Sequence, residues 1–172
     1  METYRREVKK IMVKVIVAGS RNYADFEKVE YELMMYFKAN KLHRADVEIV
    51  SGTARGADQL GERFAEKYGL KLTKFPADWD KYGKSAGYRR NAEMAKYADV
   101  LFAFWDGQSK GTNHMINLAK ESNLDVHVIQ TTIYTADDEE PSCNRCIHVT
   151  DGSYSFCKEC GDNYWLHYER TV

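Results

Sequence analysis

Four short segments of this chain hold residue types that do chemistry together: "GSRNYA" (19–24), "SGTARG" (51–56), "PADWDKYGKSAG" (76–87) and "DGQSKG" (106–111). Gly19, Gly52, Gly56, Gly107 and Gly111 would let backbone N–H groups approach an anion closely. Ser20, Ser51, Thr53 and Ser109 add hydroxyls, and Thr112 follows at a helix start. Arg21, Arg55, Lys84 and Lys110 lie in or beside these segments, Arg89 and Arg90 open the next helical stretch, and Trp79, Tyr82, Tyr88 and Trp105 offer flat faces. Such a set suits a phosphate-bearing, nucleotide-like ligand, with phosphates on the loops and a base on an aromatic ring. Glycine and serine punctuate any α/β loop, so one segment alone would mean little. Four segments with shared chemistry point to a ligand.

A second chemistry is confined to the other end of the chain. All four cysteines fall in "CNRC" (143–146) and "CKECG" (157–161), a C-x2-C-x10-C-x2-C pattern formed by Cys143, Cys146, Cys157 and Cys160. Each pair can form a knuckle that turns two thiolates onto one metal, and two knuckles complete a tetrahedral site. Zinc is the expected cofactor. Iron and a pair of disulfides are the alternatives, the latter disfavoured in a reducing compartment. Four thiolates leave no position for water, so the metal would be structural. His148 and His167 are spare ligands that such a site does not need.

Elements able to position the four segments follow from the hydrophobic pattern. Strands are expected at 11–18, 47–50, 70–75, 99–105 and 125–130, and helices at 25–40, 56–69, 87–98 and 111–123. Phe26, Val29, Leu33, Tyr36 and Phe37 recur at helical spacing behind Asp25, a candidate N-cap, and Gly69 is placed to end the second helix. "DVLFAFW" (99–105) is a near-continuous apolar run, of the kind expected for a strand buried on both faces. Alternation of strand and helix with short links implies a Rossmann-like, doubly wound α/β fold with a parallel sheet. In that topology every strand-to-helix loop meets at one edge of the sheet, so the four segments converge. The alternation stops after Thr131, and "TADDEEPS" is acidic. The expected organisation is an α/β domain over 1–133, a linker over 134–142 and a zinc-ribbon-like unit over 143–172.

Bulk properties narrow the class. The net charge of −1 gives no global mark of a nucleic-acid binder, and 44% hydrophobic content is enough for a packed core. The N-terminal "IMVKVIVAGS" is interrupted by Lys14 and reads as a buried strand rather than a signal peptide. The expectation is a cytoplasmic homo-oligomer whose partner is a small nucleotide-like ligand, rather than a membrane or nucleic acid.

"AGSRNY", "SGTARGAD", "GYRRNAEMA" and "DGQSKGTNHMI" together resemble the SLOG superfamily of Rossmann-like nucleotide-binding domains, in its YspA and cpYpsA-related branch, over about residues 11–133. The resemblance implies that Gly19, Ser20 and Arg21 form a first ligand loop and that Ser51, Gly52, Arg55, Gly56 and Asp58 form a second. It further implies an arginine-bearing helix with Arg90, Asn91 and Met94, and a phosphate turn at Gly111 and Thr112. Trp79, Gly107 and Ser109 complete the expected ligand-binding set. Asp58 could equally serve to tie down its own loop, and His114 is expected to be an ordinary helix residue.

Two relatives within this resemblance imply different functions. Cytokinin-activating phosphoribohydrolases carry a Pro-Gly-Gly-x-Gly-Thr-x-x-Glu turn whose glutamate assists cleavage of an N-glycosidic bond. Here Met115 takes the glutamate's place, and a methionine moves no proton. Glu93 and Asp106 are the carboxylates that could substitute. The DNA-processing protein of natural transformation has a loop similar to "SGTARGAD", which implies single-stranded DNA as an alternative ligand. The expected function is therefore capture of a nucleotide or nucleotide-derived signal without catalysis, with N-ribosyl hydrolysis and single-stranded DNA binding as alternatives.

Overall fold

The structure, a computed structural model, describes residues 12–131. Five strands, β1 (Val13–Gly19), β2 (Val47–Ser51), β3 (Lys71–Lys74), β4 (Val100–Trp105) and β5 (Asp125–Gln130), form one sheet in the order β3-β2-β1-β4-β5. All four pairings are parallel. The α/β architecture expected from the alternation is thus present.

Helices α1 (Phe26–Ala39) and α2 (Ala57–Tyr68) follow β1 and β2, α4 (Ala86–Tyr97) precedes β4, and α5 (Lys110–Glu121) follows it. Neighbouring strand residues point to opposite faces, and here both faces are buried. Val15, Val17, Ile49, Phe102 and Phe104 pack with Val29, Leu33, Phe37 and Phe64 on one side. Ile16, Ala18, Val50, Leu101 and Ala103 pack with Met94, Met115, Ile116 and Ala119 on the other. Each large apolar side chain so buried contributes on the order of 1.5–3 kcal/mol. The helix signals act as the sequence suggests. Asp25 accepts a hydrogen bond from Lys28 N, and Gly69 closes α2 in the left-handed conformation.

One α-helix was not foreseen. The stretch 76–87, expected to be a loop, contains the single-turn helix α3 (Trp79–Tyr82), capped by Asp78 through Lys81 N. Four residues are too few to show a hydrophobic period, so only the cap could have signalled it.

Strand order reverses between β1 and β4, which are direct neighbours although two strands and the helices around them separate the two in sequence. Open parallel sheets bind ligands in the crevice beyond the strand C-termini at such a switch point. Here Ser20 N, just past β1, donates to Phe104 O on β4 at 2.9 Å, locking the two strand ends together. No helix among the described residues is long and apolar enough to cross a membrane.

Candidate functional site

A cleft of about 320 Å³ opens at the switch point. All four loop segments reach it. Gly19 and Arg21 come from the first, Asp58 follows the second, Trp79 and Lys84 belong to the third, and Ser109 and Gly111 to the fourth. Arg90, Asn91 and Thr112 from the helices complete the expected residues that line it. Ala18, Met94 and Met115, all nearly inaccessible, give it an apolar floor, and Trp79 and Tyr88 stand about half exposed in its walls.

Ser20, Ser51, Gly52, Arg55, Gly56 and Gly107, also expected to bind the ligand, are not among the lining residues. Most of them shape the loops from behind. Ser51 is fully buried; its hydroxyl donates to Glu62 at 2.7 Å and accepts from Thr53 N at 3.0 Å. Glu62 in turn meets Lys74 Nζ at 2.5 Å, so a chain of contacts from α2 and β3 anchors the second loop. Ser20 Oγ accepts from Asp106 N at 3.3 Å and joins the first loop to the fourth. Gly56 takes φ +81° beside the Ser20 carbonyl, a backbone conformation and a closeness that glycine alone tolerates well. Gly107 also has positive φ, and Arg55 is exposed.

The charged heart of the cleft is an arginine held by its neighbours. The Arg90 side chain is 13% exposed; one terminal nitrogen donates to the Gly52 carbonyl and lies 3.6 Å from Asp58 Oδ2. Its Nε is buried with no partner among the described residues. Burial pulls the guanidinium pKa down, Asp58 opposes that, and the nearby charge of Arg21 adds to the fall. Glycine at 52 leaves room for this arrangement, because a Cβ there would displace the Arg90 guanidinium.

Asp58 is the counter-charge. Burial drives its pKa up to about 6, against the lowering effects of Arg90 and the Ala54 and Gly52 amides. Ala54 N donates to its Oδ2 at 3.3 Å. Asp58 thus ties down the 52–58 turn and faces the cleft arginine.

At the other wall, Ser109 caps α5, accepting from Thr112 N at 3.4 Å and from Thr112 Oγ1 at 2.9 Å. Asp106 accepts from Gln108 N at 2.9 Å and Ser109 N at 2.7 Å, and the bond from Ser109 leads the effects that hold its carboxyl below the usual range. Asp106 is thus engaged in shaping the turn, and Glu93 is exposed on α4 outside the lining. Asp58 is the one carboxylate among the residues lining the cleft, and Met115 fills the floor beneath the turn.

Several contributors escaped sequence reasoning. Gly87 and Ala54 line the cleft, and Glu62 anchors its second loop through partners more than ten residues away. The four cysteines lie outside the described residues; among those that are described, no cluster of three His, Cys, Asp or Glu side chains is placed to hold a metal.

Known proteins agree with this architecture. A family model described as the YspA, cpYpsA-related SLOG family matches residues 13–82. The Gene 61 protein of Mycobacterium phage D29 is 37% identical over 123 residues, covering 67% of this chain and 94% of that protein. Among solved structures, DNA processing protein A from Streptococcus pneumoniae superposes with a TM-score of 0.56 at 18% identity, over 73% of this chain and 52% of that one. This chain therefore spans about half of that protein, and the likeness is one of fold. DNA processing protein A from Helicobacter pylori, whose structure addresses a single-stranded DNA binding mode, gives a TM-score of 0.49 at 16% identity over 72% and 68% of the two chains. With the motifs in register, the parallel sheet and the extended match to the phage protein, this chain belongs to the SLOG superfamily, in the YspA, cpYpsA-related family.

Proposed function

We propose that the protein binds a nucleotide or a nucleotide-derived signal in the switch-point cleft, as a sensor or a sequestering module. The observation that carries this reading is the charge balance of the cleft. Arg21, Lys84 and Arg90 line it against the single carboxylate of Asp58, which is itself buried and already committed to loop amides. A cationic, partly desolvated recess with a capped helix start on one wall favours an anion, and phosphate matches a guanidinium fork. Trp79 and Tyr88 supply faces on which a base can stack. A volume of about 320 Å³ lies at the small end of the range for ligand pockets and suits one nucleotide.

Titration calorimetry with a panel of nucleoside phosphates tests the reading. A charge-assisted bond contributes about 1.5–3 kcal/mol, so Arg90→Ala should weaken binding roughly ten- to a hundredfold. Thr112→Val should weaken it less, because the backbone N–H groups of the turn remain. Parent-like binding by both variants would place the ligand elsewhere.

Single-stranded nucleic acid is the second reading, and one observation favours it. Trp79, Tyr82 and Tyr88 are exposed along the rim, interleaved with Lys81, Lys84 and Arg89, and Arg89 stacks over the Tyr82 ring at 4.6 Å. Stacking faces mixed with cations bind single strands without regard to sequence. The fold shared with DNA processing protein A is compatible with either ligand, so net charge alone does not decide against nucleic acid. Affinity for oligonucleotides that falls steeply with salt would select this reading. Zinc on Cys143, Cys146, Cys157 and Cys160, and a homo-oligomeric state, remain part of the proposal.

A further inference from the structure

Resting on the nucleotide reading, the geometry points to Asn91 as the residue that selects the ligand by one neutral hydrogen-bond donor, a sugar hydroxyl or a base N–H, with His114 as its positioning residue. Asn91 is 7% exposed and lines the cleft from α4. Its Nδ2 lies 3.3 Å from the Gly111 carbonyl and 3.5 Å from His114 Nδ1, both on α5. These contacts are long, yet they fix which way the amide faces. A carbonyl oxygen only accepts, so the Asn91 nitrogen must be the atom that points at Gly111. Its Oδ1 has no partner among the described residues and is not sealed away, which leaves an open neutral acceptor in a cleft whose charged residues are mostly cationic.

His114 completes the arrangement. Facing the Asn91 nitrogen, which only donates, Nδ1 can contribute only as an acceptor, in the tautomer that carries its proton on Nε2. Burial lowers the His114 pKa, which keeps the ring neutral and Nδ1 free to accept. Tyr88, another cleft residue, meets the same imidazole edge to face with centroids 4.5 Å apart. His114 therefore orients two cleft residues from a position outside the lining. Asn91 is bonded to the residue that begins the proposed phosphate turn, so its acceptor stands close to where a phosphate would leave off and the rest of the ligand begin. An acceptor buried in this way discriminates, because a ligand without the matching donor leaves it desolvated and unpaired.

The test is a coupling measurement on the full chain. Adenosine and guanosine 5′-monophosphates, their 2′-deoxy and 3′-deoxy forms, purine riboside 5′-monophosphate and inorganic phosphate are titrated against parent, Asn91→Ala, His114→Phe and His114→Gln. In the parent, removing one particular donor should weaken binding roughly ten- to a hundredfold. The deoxy and base-modified arms show whether that donor belongs to sugar or base. In Asn91→Ala the same removal should cost less than about threefold. His114→Phe, which keeps a ring against Tyr88 but no acceptor, should also narrow the ratio, and His114→Gln should restore it. A parent that binds nucleotides and all analogues alike, or a ratio unchanged in Asn91→Ala, overturns this inference and leaves the nucleotide reading intact. A parent that binds none of these probes ends both.

Discussion

The Asp58–Arg90 pair makes a quantitative demand on how stability varies with pH. Asp58 titrates at about 6 in the folded protein against an ordinary 3.8. At about 1.36 kcal/mol for each pH unit between those values, its ionisation costs the fold about 3 kcal/mol. The folded pKa is the higher one, so the favourable contribution is complete below about pH 4 and is lost as pH rises through about 6. Asp58→Asn removes that titration. Arg90 stays charged throughout this range, so any offset from losing its counter-charge does not vary with pH. Urea unfolding at half-unit steps from pH 4 to 8, on parent and variant, gives the difference directly, and contributions from all other carboxylates and histidines cancel in it. The parent should fall by about 2 kcal/mol relative to Asp58→Asn between pH 4 and 6, and run parallel to it above about pH 7. Parallel curves over the whole range would show that Asp58 is solvated or fully compensated, and the desolvated charge balance of the cleft would go with it.

Gly52→Ala puts a Cβ into the Arg90 guanidinium and 2.8 Å from Asp58 Oδ2; nucleotide affinity by calorimetry should drop about as far as in Arg90→Ala, with the fold retained by circular dichroism. Glu48→Ala strands the hydroxyls of Thr73 and Tyr97, while Lys71, 55% exposed, returns to water, so thermal or urea unfolding should show a loss of about 1–3 kcal/mol and ligand affinity should not change. Elemental analysis should give about one zinc per chain, and Cys157→Ser should abolish it while leaving the unfolding transition of the α/β domain in place.

The fold was legible because its signals are local and repeated. Strand and helix boundaries fall within about two residues of those read from periodicity, and the parallel topology follows from alternation alone. That topology also brought the four loops together without any knowledge of side-chain direction. The division of labour within the loops was not legible. Arg21 and Arg55 are the same residue type in equivalent-looking glycine turns, yet one lines the cleft and the other does not. Ser109 and Ser51 are both loop hydroxyls, but Ser51 faces Glu62 on α2 and is sealed. Residue type sets what a loop can do; the direction of each side chain, fixed by distant partners, decides which residues do it.

Strand β2 shows how the same physics separates a supporting charge from a functional one. At its start, Glu48 is fully buried. Burial alone would raise its pKa, but bonds from Lys71 at 2.7 Å, Thr73 at 2.5 Å and Tyr97 at 2.7 Å hold it below the ordinary value. Every demand of that carboxylate is met from within the fold. Past its other end, Asp58 is also buried, but Arg90 and two amides do not offset the desolvation, and its pKa goes up to about 6. Arg90 is left equally short, with Nε unpartnered. A charge whose partners are complete explains itself as architecture. A pair left under-compensated in the lining of a cleft fits the proposed anion, which would give Arg90 a further acceptor and relieve its dependence on Asp58. The contrast lies in compensation rather than burial, and it supports the proposed site at the Ser51 end of the strand.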